Sequence, residues 1–283
     1  MKLVCPHERA LIDRLEGRTV CVRVDAARDI AAAAADVRRR NTLSCVICES
    51  VPIEDIEIED DWQGVPIALM APSVGRFRNV AKKAAALRKL NLRIYLPCEA
   101  DNLTGARLLA SLGIAVCIDF GAAPDWEALA DLMTYALLGP VPHAPIDPFQ
   151  TIADGYRQAA RSDDWGRVFF DDPSRTLHLD AEGRIALSRR DLKAGDFVAC
   201  DLSKLDSAEV KHAIEQRLDA WRNLFAEDHF CARCRAWRIC RARLCDGKAA
   251  PDDCDAFFHE MAEVIERRRG KPESNRPAEK WRP

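Results

Sequence analysis

From about residue 18 to 140, short apolar runs rich in β-branched residues alternate with Ala-, Leu- and Arg-rich stretches of helical period. Five strands are predicted: TVCVRV at 19–24, TLSCVIC at 42–48, VPIALM at 65–70, LRIYLP at 92–97 and IAVCIDF at 114–120. Between them lie the helical stretches DIAAAAADVRRR, GRFRNVAKKAAALRKL and TGARLLASLG, and WEALADLMTYALL follows the last strand. In the second of these, Val80, Ala84 and Leu87 fall on one face while Arg78, Lys82 and Lys83 can face solvent. This alternation is the signature of βα units around a parallel sheet. Five units are too few to close an eightfold barrel, so the expected fold class is α/β, with an open or partial βα barrel over residues 1–150.

The segment LGPVPHAPIDPFQ (138–150) holds four prolines and no helical period, so it reads as a connector and the domain boundary is placed there. After it the pattern changes. A helical piece around TIADGYRQAARSDD precedes RTLHLDAEGRIALS, whose apolar residues alternate on either side of Ala181-Glu182-Gly183 and predict a hairpin. An amphipathic helix is predicted from Ser207 to Phe225, with Asp206 and Glu209 as a capping box and Val210, Ile214, Trp221 and Phe225 on one face. A Cys-rich loop follows, then a helix with Phe257, Phe258, Met261, Val264 and Ile265 as its apolar stripe. Residues 151–266 are thus expected to form a small Cys-rich α+β domain, and the charged, proline-containing segment 267–283 a disordered tail.

Composition narrows the choices. Of 283 residues, 48% are hydrophobic and 31% charged, enough apolar material for a proper core. Lys plus Arg number 42 against 45 Asp plus Glu, a formal charge of −3 that gives no argument from the whole molecule for a nucleic-acid or anionic-membrane partner, so any such partner must be argued from a local patch. The opening MKLVCPHERALIDRLEG carries scattered charges rather than the apolar core of a signal sequence, and no apolar run approaches membrane-spanning length. A cytoplasmic location is expected, where 12 cysteines serve as ligands and buried thiols more than as disulfides.

Five of those cysteines crowd one segment. CARCRAWRICRARLC followed by DGKAAPDDC places a CxxC at Cys231 and Cys234, then Cys240, Cys245 and Cys254. A cubane cluster needs four thiolates converging from different directions, and a CxxC pair in a tight turn supplies two. Cys240 is close enough to be the third, and Cys254, before the next helix, can return as the fourth. A [4Fe-4S] cluster on Cys231, Cys234, Cys240 and Cys254 is the preferred expectation. The alternatives are a structural zinc knot, for which a second short knuckle is missing, and a set of buried thiols. Arg233, Arg235, Arg238, Arg241 and Arg243 are interleaved with these cysteines and Trp237 lies among them. The arginines either offset the negative charge of a thiolate-bound cluster or form a solvated face that meets an anionic partner.

The pattern CxxCxxxxxC, a further cysteine shortly after it and a last one beyond a gap resembles the SPASM domain, the C-terminal auxiliary-cluster module of radical SAM enzymes that modify ribosomally made peptides. An upstream Gly-xxxx-Cys of that family is matched by Gly195 to Cys200, preceded by the LHLDAEGRIAL hairpin, so the resemblance spans about residues 175–265. It implies that Cys231, Cys234, Cys240 and Cys254 match the ligands of the second auxiliary cluster, and Cys200 and Cys245 ligands of the first. Where the family has another cysteine upstream, the chain reads Ile185-Ala186-Leu187-Ser188, and the Cys240 to Cys245 interval is one residue longer than usual. The first cluster is therefore expected to be absent or incompletely held, with Cys245 an alternative to Cys254 at the second. Radical SAM enzymes are similar to one another in a CxxxCxxC loop after the first strand. This chain has none, and its first predicted strand runs into Asp25-Ala-Ala-Arg-Asp, so no S-adenosylmethionine site and no independent radical chemistry are expected. The resemblance implies a non-radical companion of a radical SAM peptide-modification system, binding one cluster and partnered by that enzyme, its precursor peptide or both.

Two other function classes remain open. A stand-alone barrel enzyme would use Cys98, Glu99, Asp101 and Asp119 near strand C-terminal ends. A zinc-stapled interaction module would use the arginine-rich loop. Cys45 and Cys48 form a second CxxC, but positions three apart in a strand point to opposite faces, so they are expected as core thiols, as are Cys21 and Cys117. The six histidines show no metal-site grouping, and His229, two residues before Cys231, reads as a loop residue, with a stand-in ligand as the alternative.

Overall fold

The computed structural model describes residues 1–120, 124–156, 169–234 and 252–269. Nine strands form one sheet: β1 (Lys2–Pro6), β2 (Thr19–Val24), β3 (Thr42–Glu49), β4 (Pro66–Met70), β5 (Asn91–Pro97), β6 (Ala115–Asp119), β7 (Ile146–Asp147), β8 (Thr176–Leu179) and β9 (Ile185–Ala186). The order is β7-β6-β5-β4-β3-β2-β1-β8-β9. Every neighbouring pair is parallel except β8 with β9. The protein is thus α/β, as expected. All five predicted strands form within a residue or two of their expected limits.

Helices α1 (Arg9–Arg14), α2 (Ile30–Arg38), α3 (Phe77–Leu87), α4 (Ala100–Ser111) and α5 (Trp126–Leu138) connect successive strands, because a parallel neighbour can be reached only by a crossover. Between β3 and β4 the crossover is made instead by the short turns Ile53–Asp55 and Asp60–Trp62. The period of each strand decides the layers. Leu3, Val20, Val22, Val46, Ile67, Ile94 and Val116 point to the helices and join the main core, while Val4, Cys21, Cys45, Ala68, Tyr95 and Cys117 point to the other side and form a second core with Phe170.

That second side closes on itself. The Tyr95 ring on β5 lies 6.1 Å from the Phe170 ring, and the Phe170 carbonyl accepts a hydrogen bond from His178 Nε2 on β8 at 2.9 Å. β5 and β8 are five steps apart in the sheet order, about 24 Å in a flat sheet at the usual strand spacing. One phenylalanine spans the interval, so the sheet is rolled, with helices outside and Cys21, Cys45, Tyr95 and His178 inside, an arrangement compatible with a βα barrel-like domain. Inside, Arg93 of β5 is ion-paired to Asp147 of β7, whose Oδ1 also accepts from the Thr151 backbone and hydroxyl at 3.0 and 2.9 Å. The pair satisfies two charges that the interior would otherwise penalise.

Several expectations need correction. β1 was not anticipated: KLVCP reads too short and too close to charged residues, yet it carries β2 on one side and β8 on the other. With β8 parallel to β1, eight strands run parallel where five were predicted. The sheet also draws strands from both sides of the 138–150 connector. β7 lies inside that segment and α6 (Phe149–Tyr156) starts in it; α7 (Arg189–Ala194), α8 (Ala208–Asp219), α9 (Trp221–Ala226), α10 (Phe230–Arg233) and α11 (Asp252–Arg269) follow. The predicted hairpin is β8–β9, turning through Gly183 at φ +87°, a conformation that favours glycine. The predicted 207–225 helix is two helices, and Phe225 is 47% exposed rather than on a buried face. Its cap is Ser207, whose hydroxyl accepts from Val210 N, while Asp206 turns away to pair with Arg18. α11 continues through Arg269, three residues into the segment read as tail. Residues 157–164 of the predicted helical piece and 270–283 of the tail lie outside the described residues.

α11 is docked by aromatics. Phe257 and Phe258 pack against Phe120, Trp126 and Phe149, with ring centroids 5.4 to 6.5 Å apart. Edge-to-face pairs of this kind combine large apolar burial with favourable quadrupole geometry. Among the described residues no helix is long and apolar enough to cross a membrane.

Candidate metal centre

Of the six cysteines expected as ligands, four fall in the described residues. Cys231 and Cys234 stand at α10 and its C-cap, and Cys254 in the first turn of α11. Cys231 and Cys254 are buried and Cys234 is half-buried. The Cys234 thiol donates to Asp255 Oδ1 at 3.1 Å. The CxxC turn therefore sits against the first turn of α11, at the residue that follows Cys254, although nineteen residues of chain lie between Cys234 and Cys254. Cys240 and Cys245, and with them Arg235, Arg238, Arg241, Arg243 and Trp237, lie outside the described residues. Among the described residues no three His, Cys, Asp or Glu side chains are grouped closely enough to hold a metal ion.

Local chemistry explains the CxxC turn. His229 Nδ1 accepts from Cys231 N at 3.2 Å and caps α10, so the ring closest in sequence to the cysteines serves the backbone. Arg233, one residue before Cys234, is ion-paired to Asp228, which holds its guanidinium on the exposed side. A groove of about 620 Å³ borders the turn and runs along α11, lined by Arg233, Asp255, His259, Glu260 and Glu263.

Cys200 lies beside the β8–β9 hairpin. It is exposed, follows Ala199, which bridges to Ile185 of the hairpin, and lies near Arg184. Ile185 to Ser188, where the SPASM resemblance would require a further thiol, is buried, with Ile185 and Leu187 in the main core.

The residues considered for a barrel enzyme are separated by burial. Cys98 is buried, its backbone N–H bonded to the Asp119 carbonyl at 2.8 Å. Burial, opposed by a hydrogen bond from the Asp125 backbone and reinforced by the charges of Asp125, Asp119 and Glu99, pushes its thiol up to about 12. A thiol so raised is a poor nucleophile near neutral pH. Glu99 and Asp101 are exposed at the start of α4. Cys45 and Cys48 point to opposite faces, Cys45 inside and Cys48 toward the helices. Cys45 and Cys21 are direct neighbours across β2 and β3.

Sequence reasoning missed a second polar group on the inner side of the sheet, made by Arg23, Glu49, His178 and Arg189. The available signal was alternation: Arg23 interrupts VCVRV and His178 interrupts TLHL at positions facing the same side as buried apolar neighbours.

The chain matches no family model, no curated protein and no solved structure.

Proposed function

We propose that the chain is a SPASM-like, non-radical companion of a radical SAM peptide-modification system. In this reading a barrel-like N-terminal domain is joined to a small Cys-rich α+β domain that holds one auxiliary-type [4Fe-4S] cluster through Cys231, Cys234, Cys240 and Cys254. The observation that supports it best is the 3.1 Å contact between Cys234 and Asp255, because it brings the CxxC turn to the helix that carries Cys254. A bound cluster would supply one-electron transfer or a structural cross-link. The chain's own residues position the thiols: His229 fixes the CxxC turn, and the aromatic docking of α11 fixes Cys254.

The burial of Ile185 to Ser188, with no thiol among them, favours one cluster over two. The missing CxxxCxxC loop leaves no open-iron site for S-adenosylmethionine, so the protein would act on the partner enzyme or its precursor peptide rather than generate a radical. Two strains, one intact and one lacking this protein, test the role. Unmodified precursor peptide should accumulate in the second; equal modification in both would refute the companion role.

A zinc-stapled interaction module shares the same four cysteines and is separated from the preferred reading by metal content. The stand-alone enzyme built on Cys98 is disfavoured by the burial of that thiol.

A further inference from the structure

The inner side of the rolled sheet carries charge where an apolar barrel interior would carry none. Arg23 and His178 are the penultimate residues of β2 and β8, and Glu49 is the last of β3. All three therefore lie at the C-terminal ends of parallel strands, the end at which βα-barrel sites form. Arg23 reaches across β1 to donate from Nη2 to the Leu179 carbonyl at 2.9 Å, which seats its guanidinium beside His178. Arg189, the first residue of α7, closes the group: its backbone N–H donates to Asp171 Oδ1 at 3.0 Å and its Nη2 lies 3.4 Å from Glu49 Oε1.

The hydrogen bonds leave specific atoms over. His178 is 2% exposed and gives its Nε2 proton to the Phe170 carbonyl, so its Nδ1 presents a lone pair, and that atom has no partner among the described residues. Arg23 Nε and Arg189 Nε are likewise buried without partners among them. Buried polar atoms are nearly always satisfied, so three together at one place call for a ligand. The outer edge is open, since the Arg189 and Glu49 side chains are 27% and 26% exposed.

Charge sets the class of ligand. Glu49 is taken by Arg189 and Asp191 by Arg217, while Asp171, which accepts the Arg189 N–H, lies 3.7 Å from His178 Nε2 on the side away from Nδ1. Arg23 makes no ion pair among the described residues. A guanidinium in no ion pair of its own suits one negative charge, and its fork suits a planar carboxylate better than a dianionic phosphate. The bare Nδ1 of His178 adds a demand for a hydrogen-bond donor beside that carboxylate. We infer that Arg23, Arg189 and His178 form a binding site for a small organic acid bearing one carboxylate and an adjacent hydroxyl or N–H donor. The site lies on the inner side of the sheet and is independent of the cysteine segment.

Lactate and propionate, which differ by that hydroxyl, are the probes, with inorganic phosphate and chloride at matched ionic strength as comparisons. Calorimetric titration of the full chain should show saturable lactate binding, propionate binding about tenfold weaker, and phosphate weaker than lactate. Arg23→Gln should abolish lactate binding. Glu49→Gln releases Arg189 from its carboxylate and should tighten lactate binding, so it decides the matter even where Arg23→Gln fails to fold. Absence of saturable lactate binding, equal binding of propionate, tighter binding of phosphate, or an unchanged lactate affinity in Glu49→Gln would each overturn the assignment.

Discussion

The thiol of Cys234 and the carboxylate of Asp255 meet at 3.1 Å, and this contact ties the CxxC turn to the helix bearing Cys254. It is a contact between segments that are distant in sequence, and it is what a shared ligand set requires before any metal is considered. Replacing Cys231 or Cys234 with serine should remove most of the bound metal and the accompanying visible absorbance, because a serine hydroxyl is a poor replacement for a thiolate. Cys200→Ser, at an exposed position by the hairpin, should leave metal content unchanged. Loss of metal in the Cys200 variant equal to that in the Cys234 variant would show that the hairpin cysteine belongs to the same site.

The helix that carries Cys254 is anchored by aromatic packing, so that anchor should be measurable. Phe258 is 1% exposed and touches Phe120, Trp126 and Phe257. Phe258→Ala should cost about 3–5 kcal/mol in urea unfolding, the usual range for a fully buried phenylalanine. A cost below about 1 kcal/mol would mean that α11 is held by something other than these rings.

His178 gives the protein an acid-sensitive step. Burial, aided by the nearby Arg23 and Arg189, pulls its pKa down from 6.5 to about 4. Between those values the unfolded chain binds a proton that the folded chain refuses, so stability is complete above about pH 6.5 and falls as pH drops toward 4. The loss attributable to this one residue should approach about 3 kcal/mol. Comparing urea midpoints of the native protein and His178→Gln across this range isolates it. Parallel pH profiles for the two proteins would contradict the assignment.

At the start of α8 the two neighbouring candidates for the cap make opposite forecasts. The Ser207 hydroxyl accepts from Val210 N at 3.3 Å, whereas Asp206 forms an exposed pair with Arg18. Ser207→Ala should destabilise by about 1 kcal/mol, and Asp206→Ala by less than about 0.5 kcal/mol. The reverse ranking in thermal unfolding would restore the aspartate as the cap.

Cys98 and Cys200 should differ in reactivity. The first is buried, with its thiol raised to about 12, and the second is exposed. Iodoacetamide at pH 8 should label Cys200 first, as read by peptide mass, and prior labelling of Cys98 would revive a nucleophilic role at the strand ends.

Much of the rolled sheet was legible because each of its long strands is dominated by β-branched and apolar residues. α5 coincides with the predicted WEALADLMTYALL because Asp125 caps it and Gly139 ends it. β1 was not legible: its five residues carry no period of their own, and the strand exists because β2 and β8 pair with it. The same tertiary override moved the α8 cap by one residue. The cysteine segment was legible as chemistry, through spacing, but not as geometry, since nothing local in the sequence encodes how the CxxC turn meets α11. The charged group at Arg23, Glu49, His178 and Arg189 was hidden for the opposite reason. Its members come from four elements, and each looks ordinary in its own segment.

The proposed cluster is tested most directly by iron, sulfide and zinc analysis with a visible spectrum on anaerobically purified full-length protein. About four irons and four sulfides per chain, with broad absorbance that bleaches on reduction, is the expected result. About one zinc and no iron would contradict the cluster and assign the same cysteines to a structural zinc site.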